Sequence, residues 1–159
     1  MIIKTAFVSI ALCFASAASA AELIASVETV KGGATAVGLD IVSDGTVAGF
    51  SFSIEAPGVD SKAIRSTNCV SQLPKGFTAG CGFGAGKVNV IASADVPGTF
   101  LPAGVTPVGT VMVTAALAKG ASVRVSNFET SNDNGVSTAG TAKVDGVDMG
   151  DMAADTAAK

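Results

Sequence analysis

The stretch Val47-Ala48-Gly49-Phe50-Ser51-Phe52-Ser53-Ile54-Glu55 alternates large apolar side chains with small or polar ones. Strict alternation is the period of a β-strand that has one face in a core and the other in water. The core side carries Phe50, Phe52 and Ile54. The solvent side carries Ser51, Ser53 and Glu55. The stretch therefore predicts a sheet with one face buried in a core. It contains no catalytic motif.

Similar alternation occurs along the chain on both sides of this stretch. The further predicted strands are residues 22–30, 34–42, 87–93, 108–117, 121–130 and 136–144. The turn Ser43-Asp44-Gly45 predicts a tight hairpin, which would make the second and third strands antiparallel neighbours. Short strands, frequent glycine turns and almost no helical period predict an all-β fold, an antiparallel β-sandwich of about seven to nine strands.

The segments between these strands lack a strand pattern. Residues 59–66 have the composition of a single helical turn, and residues 67–85 are predicted to form an irregular, glycine-rich loop. Residues 95–107 hold three prolines and are predicted to form another loop. The sequence thus places Phe77, Phe83 and Phe100 in loops.

The N-terminus has the features of a secretory signal. Lys4 supplies the positive charge, residues 6–15 the apolar run, and Ala18-Ser19-Ala20 the small-residue cleavage motif. Cleavage after Ala20 would give a secreted or periplasmic protein. A lipoprotein acylated at Cys13 is the alternative, but Cys13 lacks the small residue expected before it. We expect no stable membrane anchor in the exported chain.

The predicted domains are a signal peptide at 1–20, one sandwich at 21–145 and a flexible acidic tail at 146–159. The exported chain would carry nine Lys and Arg against thirteen Asp and Glu side chains, a net charge near −4. Nucleic-acid binding needs a basic stripe that can neutralise phosphates, so nucleic acid is not an expected partner.

Two cysteines remain after removal of the signal, Cys69 and Cys81. An even pair in an exported protein favours a disulfide, which would stabilise the fold by about 3 kcal/mol by closing a short loop. Reactive or metal-bound thiols are the alternative. A redox motif has two residues between its cysteines at a helix start, and this spacing is longer.

Residue inventory argues against catalysis. The chain has no His, so neither a Ser-His-Asp nor a Cys-His relay can be built. Paired carboxylates for glycoside hydrolysis would have to come from Glu28, Asp40, Glu55 and Glu129, but a solvated strand face is the strongly favoured explanation of these residues. We therefore expect no enzyme activity and no cofactor.

Two clusters of oxygen donors raise the question of calcium. They are Asn132-Asp133-Asn134-Gly135 and the series Asp145, Asp148 and Asp151. Neither matches the alternating ligand register of a helix-loop-helix calcium site, and an Asn-Gly turn and an acidic tail account for them. The prediction is no metal site.

The order of these segments resembles the cohesin domain family of secreted β-sandwiches, which are related to cellulose-binding modules. The family has a Gly-rich turn, a strand of alternating Val and Leu, a Gly-Phe-x-Phe-x-Leu strand, a central strand and a Gly-x-Leu strand. The corresponding segments here are Val30-Lys31-Gly32-Gly33, 36–42, 47–54, Lys87-Val88-Asn89-Val90-Ile91-Ala92 and 107–113. Glu55-Ala56-Pro57 stands where the family usually has Tyr-Asp-Pro, and the Cys69 to Cys81 insertion departs from the common pattern.

The resemblance implies a cohesin-like jelly-roll and a non-enzymatic binding module. Its partner would be a dockerin-type protein or a polysaccharide outside the cytoplasm, and its oligomeric state is left open. The candidate ligand-binding residues are Phe77 and Phe83, in the predicted glycine-rich loop at 67–85 that contains both cysteines, and Ser51, Ser53 and Glu55, on the polar strand face. The alternative is a fimbrial, pilin-like subunit that a donated strand completes.

Overall fold

The structure is a computed structural model that describes residues 21–30, 34–58, 64–65, 70–84, 86–113, 123–144 and 147–148. These residues form eleven strands, of which nine have three or more residues. The strands are β1 (Glu22–Thr29), β2 (Thr35–Ser43), β3 (Gly49–Glu55), β4 (Ile64–Arg65), β5 (Phe77–Gly84), β6 (Lys87–Ala94), β7 (Gly104–Val113), β8 (Arg124–Ser131), β9 (Ser137–Ala139), β10 (Thr141–Val144) and β11 (Val147–Asp148).

The strands build two sheets that pack as a β-sandwich. One sheet has the order β11-β10-β1-β2-β7-β4, and the other has the order β5-β6-β3-β8-β9. All the strand pairs are antiparallel except β1 and β10, which run parallel. The predicted all-β antiparallel sandwich is confirmed.

The core lies between the two sheets, where alternate residues of each strand point inward. Leu23 and Ile41 from one sheet and Phe52 and Ile54 from the other are at most 2% exposed. Phe50 and Phe52, two residues apart on the inner side of β3, have ring centroids 6.0 Å apart. The side of residues 47–55 that faces the core is therefore the side with Phe50, Phe52 and Ile54, as the alternation predicts.

The predicted hairpin between the second and third strands is wrong. β2 pairs with β1 and β7, whereas β3 pairs with β6 and β8 in the other sheet. Residues 44–48 do begin with a turn, in which the Thr46 N–H donates to Asp44 Oδ1 at 2.9 Å. The chain then crosses the end of the sandwich, where the carbonyls of Val47 and Ala48 accept from Leu101 and Ala94.

The predicted glycine-rich loop at 67–85 is also wrong in its second half. Residues Phe77–Gly84 form β5, which pairs along its whole length with β6. Residues 64–65 form the short strand β4 rather than part of a helical turn. Phe77 and Phe83 thus lie in a strand, while Phe100 lies in a loop as expected.

Several predicted features lie outside the described residues. They are the signal peptide at 1–20, Cys69 and most of the tail at 146–159, of which only β11 is described. Within the described ranges we find no helix of the length and hydropathy needed to cross a membrane.

Candidate binding face

The solvent side of the five-stranded sheet is a broad surface, which we call the outer face. The strand registers align its residues in rows, such as Gly80, Ile91, Ser51 and Glu129 across β5, β6, β3 and β8. On these four strands the outer face comprises Thr78, Gly80, Gly82, Gly84, Lys87, Asn89, Ile91, Ser93, Gly49, Ser51, Ser53, Glu55, Arg124, Ser126, Glu129 and Ser131. Most of these side chains are small or polar.

Ile91 is the large apolar side chain of this surface. It is 66% exposed, although its β6 neighbours Val90 and Ala92 are buried on the other side of the sheet. In register it lies between Ser51 on one side and Gly80 on the other. Because both neighbours are small, Ile91 projects from the centre of the outer face.

Ile91 lines one part of a shallow open depression of about 620 Å³. Its lining includes Ser53, Asn89, Gly82 and Asn127. Ser53 Oγ donates to Asn89 Oδ1 at 2.7 Å, and Ser53 is only 7% exposed. Ser53 thus lies on the outer side, as its alternation predicts, but it is buried there rather than facing water.

An irregularity in β8 adds Asn127 to the depression. The pairing of β3 with β8 shifts register between Ser51 and Ser53, and Asn127 has a φ of 54°. A β-bulge inserts one extra residue into a strand, and asparagine tolerates this left-handed backbone better than most residues. The bulge thus gives the outer face an additional amide side chain.

Charged groups lie at one end of the outer face. Glu55 forms an ion pair with Lys87 and is in register with Arg124 on its other side. Ser126 Oγ also donates to Glu55 Oε1 at 3.4 Å. Glu129, which is exposed beside Ser51, adds a negative charge nearer the centre.

The sequence-predicted candidates separate into two groups. Ser51, Ser53 and Glu55 lie together on the outer face. Phe77 and Phe83 are in register with Ala94 and Val88, so they point to the opposite side of the sheet. Phe77 packs against the core, and Phe83 is 49% exposed at its margin.

Ile91 and Asn127 are candidate site residues that sequence reasoning did not select, and Glu129 was considered only as a carboxylate for hydrolysis and not as a ligand contact. The signal for Ile91 was present, because Val88, Val90 and Ala92 alternate on the buried side and leave Ile91 on the polar side. Asn127 carries no such signal, since a bulge depends on the register with a distant strand. The outer position of Glu129 depends on the same register.

Cys81 is half-buried and disulfide-bonded. Cys69 lies outside the described residues, so the Cys69–Cys81 pairing stays a prediction. Across the described part of the chain, no group of three or more His, Cys, Asp or Glu side chains could hold a metal ion.

Comparisons with known proteins give no match by sequence. No protein-family profile and no curated protein matches the chain. Solved structures do match. A non-cellulosomal cohesin from the hyperthermophilic archaeon Archaeoglobus fulgidus superposes with a TM-score of 0.58 at 14% identity, over 79% of this chain and 88% of that one.

The fold is cohesin-like. A type II cohesin-X-dockerin complex from Acetivibrio cellulolyticus matches with a TM-score of 0.54 at 12% identity, over 78% of this chain and 94% of that one. A type I cohesin-dockerin complex from Clostridium thermocellum matches with a TM-score of 0.52 at 13% identity, over 79% and 92%. The cohesin-like fold predicted from the strand order is confirmed, and this likeness concerns the fold alone.

Proposed function

We propose that the chain is a secreted, non-enzymatic binding module. It binds a dockerin-type protein through the outer face of its five-stranded sheet. The observation that carries the proposal is a cohesin-like fold whose outer face has an exposed apolar centre. Similar folds occur in solved cohesin-dockerin complexes. Ile91, at 66% exposure, is the residue expected to contact the partner most closely.

The composition of the outer face favours a protein over a polysaccharide. Protein interfaces combine an apolar centre with a polar rim, as Ile91 does with Asn89, Glu129 and Lys87. Sugar rings are bound by stacking on aromatic side chains. Phe77 and Phe83 point to the other side of the sheet, and the outer face of β5, β6, β3 and β8 contains no aromatic residue.

The polar groups of the depression support a binding role without catalysis. Ser53 is the buried hydroxyl there, and its hydrogen-bond acceptor is the Asn89 amide oxygen. An amide oxygen cannot take the hydroxyl proton, so this pair does not activate a nucleophile. Export rests on residues 1–20, which have the pattern of a signal peptide.

Binding to isolated dockerin modules tests this function. Exported protein beginning at Ala21 would be titrated, by calorimetry or biosensor, with a panel that includes the dockerin partners of the two solved complexes described above. Ile91→Asp should weaken binding about tenfold or more, because a charge would replace an apolar side chain at the centre of the interface. Val105→Asp is the matched control, since Val105 is 64% exposed on the outer side of the other sheet.

Two results would contradict the proposal. Absence of binding to every dockerin in the panel would remove the dockerin-type partner, and equal losses in both variants would remove the outer face as the site. Affinity electrophoresis in soluble polysaccharides provides the test of the glycan alternative. If a polysaccharide retards the unmodified protein but not Ile91→Asp, the ligand of the outer face is a glycan.

A further inference from the structure

Strand β5 is the long edge strand of the five-stranded sheet, and its own sequence has none of the features that discourage pairing. Among the described residues it pairs only with β6, whereas the other three sheet edges, β4, β9 and β11, have two or three residues each. Natural sheets protect their edges by short strands, prolines, bulges or charges. The eight residues of Phe77–Gly84 contain no proline and no charged residue.

The sequence of β5 is also nearly symmetric about Gly80. The order Phe77-Thr78-Ala79-Gly80-Cys81-Gly82-Phe83 places a phenylalanine three residues away on each side, and small residues between. A two-fold axis brings each residue of one copy opposite its symmetry mate in the other. A symmetric strand is therefore suited to antiparallel pairing with itself.

We propose that two copies of the chain associate through antiparallel pairing of their β5 strands, centred on Gly80. Gly80 then faces Gly80 of the second copy, and Phe77 faces Phe83. Residues directly opposite in an antiparallel pair point to the same side of the sheet. Phe77 and Phe83 both lie on the inner side of β5, so this register is compatible with the side chains as they stand.

The pairing is favourable on both sides of the sheet, because it covers an exposed phenylalanine on one side and meets no steric obstacle on the other. On the inner side, Phe83 is 49% exposed and would be covered by Phe77 of the second copy, twice by symmetry. On the outer side, a Cβ built on Gly80, Gly82 or Gly84 would meet no heavy atom of the described residues within 4 Å, so there is open space above these glycines for Thr78 of the second copy, which faces Gly82. The two five-stranded sheets become one continuous sheet, and both outer faces stay open.

A cysteine scan tests the register. In Gly80→Cys the two introduced residues face each other across the axis, about 5 Å apart between Cα atoms, within the span of a disulfide. In the matched variant Gly82→Cys the introduced residues are about 14 Å apart, four positions along the strand. Non-reducing electrophoresis, with peptide mapping of the linked residue, should show several-fold more crosslinked dimer for Gly80→Cys. Equal or absent crosslinking would overturn the register.

Sedimentation of the unmodified exported chain over a concentration series tests the association itself. We expect a monomer-dimer equilibrium that Gly82→Lys shifts to monomer and that Ala139→Lys, at the opposite edge of the same sheet, leaves unchanged. A monomer at every concentration would overturn the proposal, and so would open-ended polymers. Ile91→Asp should dimerise like the unmodified chain, so a failure of partner binding and a failure of self-association are distinguishable.

Discussion

Gly140 lies between β9 and β10, where the backbone passes against the ring of Phe128. A Cβ at this position would come within 2.4 Å of the Phe128 ring and 2.7 Å of the Ala21 carbonyl oxygen. Phe128 is 5% exposed, and the Ala21 oxygen already accepts from the Thr141 N–H at 3.1 Å. Neither neighbour has room to move, so the fold requires a glycine here for steric reasons.

Gly140→Ala should therefore destabilise the protein by about 1–3 kcal/mol, the usual cost of forcing extra volume into a packed region. Urea unfolding followed by circular dichroism measures the change. Gly82→Ala is the control, because its Cβ would meet no heavy atom of the described residues within 4 Å. We expect its free energy of unfolding to change by less than about 0.5 kcal/mol. Similar losses in the two variants would contradict the predicted close approach.

At the scale of elements, β3 holds the five-stranded sheet together. It pairs with β6 and β8 along both edges and contributes Phe50, Phe52 and Ile54 to the core. Its two sides have separate roles, since the inner side stabilises the sandwich and the outer side belongs to the candidate site. Substitutions on the inner side should therefore change stability, whereas substitutions on the outer side should change binding and leave stability nearly unchanged.

Phe52→Ala should lower the free energy of unfolding by about 3–5 kcal/mol, because it leaves a cavity in the core. Phe52 is 2% exposed, whereas Ile91, on the outer side of the adjacent strand, is 66% exposed. Ile91→Ala should change stability by less than about 0.5 kcal/mol. Thermal and urea unfolding of the two variants provide the comparison, and a large loss in Ile91→Ala would show that Ile91 has a structural role.

The sequence predicts those elements whose alternation is strong. β1, β2, β3 and β6 lie within one or two residues of their predicted bounds because apolar residues recur at every second position in the sequence of each. β5 has glycines at three alternate positions, which gives a turn composition and hides the strand. The hairpin predicted at Ser43-Asp44-Gly45 was wrong for a related reason. An Asp-Gly turn specifies a local reversal of the chain, but it does not specify which sheet the next strand joins.

The candidate site is predictable to the same extent. The polar side of β3 follows from alternation alone, so Ser51 and Glu55 were found from sequence. Phe77 and Phe83 were assigned to an exposed loop because nothing local shows that they point inward from a strand. The depression around Ile91 depends on the registers of β5, β6, β3 and β8, which only the folded chain brings together.

At the scale of the whole molecule, the mature N-terminus and the disulfide can be checked in one measurement. Intact-mass analysis of the exported protein without reductant should give a chain that begins at Ala21 and lacks two hydrogens, with peptide mapping linking Cys69 to Cys81. Ala21 is 1% exposed and directly precedes β1. Two free thiols, or a chain that retains residues 1–20, would contradict these predictions.

The parallel pairing of β1 with β10 has a kinetic consequence. Glu22, near the start of the sandwich, is in register with Thr141, near its end. Contacts between residues so far apart in sequence slow folding, because the intervening chain must first be ordered. As the polypeptide is synthesised, β1 can pair with β2 early, but its other edge stays open until β10 has emerged. A chain that stops before Thr141 would leave that edge exposed to neighbouring chains, so incomplete synthesis would be a source of aggregation.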